Sequence, residues 1–365
     1  MSPVCRALVL LCLTGCAPDT SVVFHDEHDP SSLSEWGVLA LREGRLQVST
    51  EAQVYELNTP LFSDYAHKLR TVWMPPDRSA AYTESGVFDL PVGTVLTKTF
   101  YYPRAAAGEV RLEPFVAGSE RVTALSLEAV QLIETRVLVR RTGGWQALSY
   151  VWNEAQTEAR RVRTGEVFDL AYRDGAVVRR FNYAVPDENQ CASCHATDAK
   201  SRALQPLGLA ARHLQHPSDS ARSSLAELVT RGFIRNAPAT PAIFSARLDS
   251  DEPIEARARA YLDINCGYCH HPSGPADTSG LALDATALWG PALGVCKSPI
   301  AAGRGTGNRR FGIVPGNADA SILLHRVESR ETDVMMPEVG RSLSHAEGVA
   351  VLRAWIEGMT PKGCA

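Results

Sequence analysis

Residues 255–270 read Glu255-Ala-Arg-Ala-Arg-Ala-Tyr-Leu-Asp-Ile-Asn-Cys266-Gly-Tyr-Cys269-His270, and this stretch decides how the second half of the chain folds. Its first ten residues are rich in Ala, Arg, Glu and Leu, which favour helix. The helix leads into Cys-x-x-Cys-His. Two Cys separated by two residues can meet the two vinyl groups of one porphyrin, and the adjacent His then reaches the iron from the same side. The pattern also occurs upstream, as Cys191-Ala-Ser-Cys194-His195. The spacing predicts two covalently bound haem c groups, with His195 and His270 as proximal ligands. A four-Cys zinc site is the rival. Zinc ribbons place their Cys pairs about 15–20 residues apart, far less than the gap from Cys194 to Cys266.

Downstream of the second motif lies Met335-Met336-Pro337, and after it a helix begins near Ser344. Ser344 and Glu347 have capping-box spacing. Val349, Leu352, Ile356 and Met359 then share one face, and Pro361 ends the helix. A helix, Cys-x-x-Cys-His, a loop carrying Met and a final helix is the order that a small His/Met cytochrome c domain resembles. That resemblance implies Met336 as the sixth iron ligand, with Met335 second. Both could instead be core filler, because Met packs irregular gaps. His271 reads as a surface residue. One of Arg304, Arg309 and Arg310 could face haem propionates or could equally lie in solvent.

Upstream, residues 36–185 read as β. Arg45-Leu-Gln-Val-Ser49, Gly93-Thr-Val-Leu-Thr-Lys-Thr-Phe100, Glu134-Thr-Arg-Val-Leu-Val-Arg140 and Trp145-Gln-Ala-Leu-Ser-Tyr-Val-Trp152 alternate apolar and polar residues between Gly and Pro clusters. Gly143-Gly144 between two such runs signals a hairpin. The expected fold is therefore α+β and multidomain. An antiparallel β domain, sandwich or barrel, precedes a mainly α-helical cytochrome c domain. The expected division is a signal peptide at 1–15, a tether at 16–35, the β-rich domain at 36–185, a first haem segment and linker at 186–250, and the cytochrome c domain at 251–365. Ser224-Leu-Ala-Glu-Leu-Val-Thr-Arg231 reads as a helix within the fourth part, and Pro238, Pro241 and Pro253 mark its linker.

The chain has 365 residues, an ordinary apolar content of 45% and a net charge of -4, so neither disorder nor nucleic-acid binding is indicated. Arg6 precedes the apolar run Ala7-Leu-Val-Leu-Leu-Cys-Leu13, which is shorter than the about 20 residues a membrane span needs and suits a signal peptide. Leu13-Thr-Gly-Cys16 resembles a bacterial lipobox, which implies lipidation of Cys16. In the lipoproteins it resembles, an acidic residue after that Cys favours the inner membrane. Ala17 therefore implies a periplasmic-side location anchored by lipid to the outer membrane. Of nine cysteines, Cys5 and Cys12 leave with the signal and four belong to the motifs. Cys296 and Cys364 remain and are expected to form a disulfide in an oxidising compartment.

Tyr55-Glu-Leu-Asn-Thr-Pro-Leu-Phe-Ser-Asp-Tyr-Ala66, Leu90–Phe100, Tyr150-Val-Trp-Asn-Glu154, Ala260–Cys266 and Met335-Met-Pro-Glu-Val-Gly-Arg-Ser-Leu343 together resemble a family of bacterial dihaem c-type lipoproteins over nearly the whole mature chain. The resemblance implies two haems and export but no substrate. The Pro91-Val-Gly-Thr-Val-Leu-Thr-Lys98 strand, with a Trp-containing strand and a following Cys-x-x-Cys-His, is also similar to the lysine-cross-linked cytochromes that oxidise hydroxylamine. That similarity would make Lys98 the cross-linking residue. A strand Lys is more commonly a solvated side chain.

Three functions stay open at this point. The first is an electron carrier with a redox partner protein in the periplasm or outer membrane. The second is a haem enzyme whose first haem keeps an open position. The third is a docking module built on the β domain. The distal ligand of the first haem is His213, His216, Met74 or none.

Overall fold

The computed structural model of the chain describes residues 21–114, 122–216, 223–239, 244–300, 302–361 and 363–364. The expected signal peptide and Cys16 lie outside the described residues. In chain order the strands of the first half are β1 (Leu39–Arg42), β2 (Arg45–Val48), β3 (Gln53–Val54), β4 (His67–Trp73), β5 (Ala80–Ala81), β6 (Val95–Pro103), β7 (Ala124–Ser126), β8 (Val130–Arg141), β9 (Gly144–Trp152), β10 (Ala159–Val162), β11 (Glu166–Asp174) and β12 (Val177–Val185). There follow α1 (Glu188–His195), α2 (Ala211–Leu214), α3 (Ser224–Thr230), β13 (Ile234–Arg235), α4 (Ile254–Leu262), α5 (Ile322–Glu328) and α6 (Ala346–Gly358). The architecture is α+β, with a mostly antiparallel β region first and the helices later.

The central sheet has six strands in the order β10-β9-β8-β6-β4-β3, all antiparallel neighbours. Side chains alternate across a strand, so the two faces can be read directly. Leu69, Val95, Val137, Val139, Leu148, Tyr150 and Trp152 point to the first face. They pack with Trp36, from the short turn before β1, and with Leu39, Leu46 and Leu125, which cover that face from the three-stranded sheet β1-β2-β7. The second face has three zones. One end carries Val72, Leu96 and Leu138, under Leu209, Leu214, Leu225 and Leu228. The other end carries Phe100 and Val151, under Leu170, Phe181 and Tyr183 of the β11–β12 hairpin. Between them lies a polar band containing Arg70, Lys98 and Arg136 in register.

Two expected connecting stretches turn out to be packed. Within the expected tether of 16–35, Val22 is buried, Val23 N–H donates to the Trp36 carbonyl, and Asp29 pairs with Arg141 and Arg161 at 2.8 Å each. These residues serve the edge of the sheet. Within the expected linker of 186–250, α2 and α3 cover the sheet, and β13 pairs in parallel with β5. The apolar residues at 209, 214, 225, 228 and 234 give the physical reason, since they bury against the second face.

The region expected to be mainly α-helical, 251–365, has long non-helical connections. Between α4 and α5 the chain carries frequent Gly and Pro, which disfavour continuous helix. The three helices share one core, with Tyr261 and Leu262 meeting Leu352, Trp355 and Ile356. Gly348 permits that crossing: a Cβ there would fall 2.5 Å from the Tyr261 ring. Helix α6 starts with His345 as N-cap and no side-chain cap bond. The expected Ser344–Glu347 box does not form, because Glu347 accepts a hydrogen bond from Tyr65 instead. Cys296 and Cys364 are joined by a disulfide, Cα–Cα 5.1 Å.

The stretch 55–66 staples the two halves. Asn58 N–H donates to the His213 carbonyl, and its side-chain amide donates to the Arg212, Gln215 and Ser245 carbonyls. Phe62 N–H donates to Asn265. The Asp64 carboxylate accepts from the backbone N–H groups of Ser342 and Leu343. Segments 55–66, 260–266 and 335–343 thus meet in space.

Candidate cofactor-attachment sites

The second Cys-x-x-Cys-His follows α4 through a π-turn, Asp263–Gly267, which brings Cys266 inward. Gly267 is required there, since a Cβ would lie 2.8 Å from the Asp284 backbone. Cys266, Cys269 and His270 line a cavity of about 630 Å³, within the size range of cofactor pockets. Apolar residues such as Leu283, Leu293, Ile313 and Val327 form much of its wall. Both sulfurs are free of disulfides, and both thiols are pushed up to about 12, first by burial. Ser279 Oγ engages His270 Nδ1 at 3.1 Å, leaving Nε2 as the nitrogen open to a metal. Burial holds the His270 imidazole down to about 4, so it is neutral, as a ligand must be.

Met336 lines the same cavity. Its N–H donates to the Arg326 carbonyl, and its own carbonyl accepts from Arg341 at 3.1 and 2.8 Å. Arg341 also donates to the Leu343 and Arg326 carbonyls, so one buried guanidinium fixes the whole Met336 loop. Met335 is not among the lining residues. Arg202, Lys297 and Arg326 are the cations of the cavity wall. Arg309 is spent on the Asp319 and Gly307 carbonyls, and Arg310 sits over Phe311. The Gly-rich loop therefore does not bring Arg304, Arg309 or Arg310 to this wall.

The first motif ends α1, which starts with a capping box between Asp187 and Gln190. Cys191 is buried and Cys194 partly buried, both free. His195 Nδ1 meets the Gln205 carbonyl at 2.8 Å, which again leaves Nε2. Burial and then the Lys98 charge hold the His195 imidazole down to about 4. Lys98 itself is held down to about 7 by burial, then by the Arg136 and Arg70 charges.

The candidates for a distal partner of His195 are engaged elsewhere. His213 has Ser245 Oγ at 3.2 Å on Nδ1 and Asp263 at 3.4 Å on Nε2. His216 Nε2 meets Glu252 at 2.5 Å. Met74 is packed among Leu57, Phe88 and Leu209.

The two motifs abut. Tyr268 Oη lies 3.8 Å from Cys194 Sγ, and Cys269 Sγ lies 3.5 Å from the Ser193 carbonyl. Ala199 N–H donates to the Ser273 carbonyl at 2.8 Å. His271 Nε2 meets the Thr197 carbonyl at 2.8 Å. His271, expected on the surface, is thus a half-buried clasp across this seam. Sequence reasoning missed Tyr268, Arg326 and Arg341. Tyr268 was visible inside the motif, and Arg341 lay in a stretch already singled out, but nothing in the sequence marks what they touch. Among the described residues no group of three or more His, Cys, Asp and Glu side chains is arranged to hold a metal ion. No family model, curated protein or solved structure matches this chain.

Proposed function

We propose that the protein is a dihaem c-type cytochrome that carries electrons in the bacterial cell envelope. Cys191 and Cys194 would hold one haem and Cys266 and Cys269 the other, with His195 and His270 as proximal ligands and Met336 completing the second site. The observation that carries this reading is the direct contact of the two motifs, Cys194 against Tyr268 and Cys269 against Ser193. Neighbouring redox groups exchange electrons readily, and two separate cofactor functions would not need this seam.

Haem supplies reversible one-electron chemistry when bound. The chain's residues do the rest. Gln205 and Ser279 orient the two imidazoles and keep Nε2 free. Arg341 holds the Met336 loop, whose thioether would favour the reduced iron and raise the potential. The apolar wall lowers the local polarity around the second site. The export signal, the Cys16 lipid anchor and a redox partner protein in the periplasm or outer membrane complete the proposal on the sequence features given above. Among the described residues no helix is long and apolar enough to cross a membrane.

A second reading has one observation in its favour. His213, His216 and Met74 are all committed elsewhere, which suits an enzyme with an open position at the first haem. Redox-resolved absorption and EPR of the mature protein separate the two. Two low-spin centres inert to carbon monoxide support the carrier. A high-spin centre that binds carbon monoxide when reduced supports the enzyme.

A further inference from the structure

The polar band on the second face of the central sheet carries an imbalance of charge. Arg70 on β4, Lys98 on β6 and Arg136 on β8 stand side by side in register. Arg136 is neutralised by Glu134 through contacts of 2.8 and 2.5 Å, and Glu134 also accepts from Tyr183. Lys68, further along β4, donates to the Ala66 carbonyl at 2.8 Å. Asp64, the nearby acid, is occupied by Ser342 and Leu343.

Arg70 and Lys98 have no such partners. Among the described residues, neither the Arg70 guanidinium nor the Lys98 ammonium has a hydrogen-bond or ion-pair partner. Tyr55, Glu56 and Tyr101 favour the charge on the Arg70 guanidinium electrostatically. Lys98 has the Phe100 ring at 5.2 Å. Arg70 is only 4% exposed, and a buried guanidinium without a counter-ion is rare and costly. The first motif adjoins this band, since α1 packs against β9, the neighbour of β8, and the Lys98 charge acts on both His195 and Cys194.

We propose that Arg70 and Lys98 form an anion site on the sheet face that adjoins the first Cys-x-x-Cys-His, taking a carboxylate or a small oxyanion. A guanidinium presents a planar fork that matches a carboxylate or oxyanion bidentately, and an ammonium beside it adds a point charge with three donors. Two sources of that chemistry exist: a propionate of the first haem, or a free anion such as nitrite. Only the first source rests on the haem reading.

The test uses the mature full-length protein, its Arg70→Gln variant, and Lys98→Gln as a second variant at a less buried position. Each is titrated with nitrite and with azide, and the first-haem potential is measured against that of the second. For a free anion, the wild-type spectrum shifts saturably and both variants lose at least tenfold in affinity. For a propionate, no titration occurs, while Arg70→Gln lowers the first-haem potential, makes it pH-dependent and leaves the second haem unchanged. Wild-type anion affinity and wild-type potentials in both variants would overturn the site. Mass spectrometry of the wild-type protein reports haem attachment separately. If Cys191 and Cys194 carry no haem, the site is read from the nitrite-dependent rise in melting temperature. Loss of that rise in Arg70→Gln supports the site, and an equal or absent rise overturns it.

Discussion

Cys194 Sγ lies 3.8 Å from Tyr268 Oη, so a residue inside the second motif touches a sulfur of the first. The contact is part of a seam that also includes His271 and Ser273. Tyr268 is half-buried, so Tyr268→Ala should cost about 2 kcal/mol, less than a fully buried aromatic truncation, and should loosen both motif segments together. Tyr268→Phe keeps the ring and should cost less than 1.5 kcal/mol, near the net value of one hydrogen bond. Denaturant unfolding of the two variants checks the difference. Equal costs would show that packing does not act through the ring.

On the proposed two-haem reading, Met336→Ala should abolish the weak iron–sulfur absorption band of the second haem and lower its potential by a sizeable part of the roughly 0.8 V range that axial ligands command. Met335→Ala should leave both unchanged, because Met335 does not line the cavity. The comparison is made by absorption and potentiometry on the same preparations.

Arg341 should behave as the support of Met336. It donates to the Met336, Leu343 and Arg326 carbonyls and is only 8% exposed. Hydrogen bonds from a charged donor are worth about 1.5–3 kcal/mol, so Arg341→Ala should destabilise by at least that much and weaken the Met336 band. Arg341→Lys should rescue little, because one ammonium cannot span a fork of acceptors. Full rescue by Lys would contradict the geometry.

Acid should destabilise the protein partly through His213. Its imidazole is held down to about 4, by burial first, against the Asp263 charge that raises it. An unfolded His titrates near 6.5. The unfolded state therefore binds the proton first, and the stability from neutral His213 is complete above about 6.5 and falls as pH drops toward about 4, by about 3 kcal/mol in all. In His213→Gln the curve of unfolding free energy against pH should be flatter between those limits. An unchanged slope would show that other groups dominate it.

The strands were legible because they alternate on a two-residue period. The run Glu134–Arg140 lies within β8, and Trp145–Trp152 lies within β9. The two Cys-x-x-Cys-His motifs were legible because five contiguous residues carry the whole pattern. What could not be read was register. Arg70, Lys98 and Arg136 become neighbours only when three strands align, and no local pattern says which rows face each other. The packed tether and linker were hidden for a similar reason, since their few apolar residues find partners far along the chain. The capping box at Ser344 failed because Tyr65 offers Glu347 a distant partner, and such contacts override local preference.

The intact mass of the exported protein, produced in a host that attaches haem to Cys-x-x-Cys-His and measured after denaturation, bears most directly on the two-haem proposal. The expected result is the polypeptide plus two haem groups, falling to one when Cys191 and Cys194 are both replaced by Ala, and to one when Cys266 and Cys269 are. A wild-type mass equal to the bare polypeptide would contradict it.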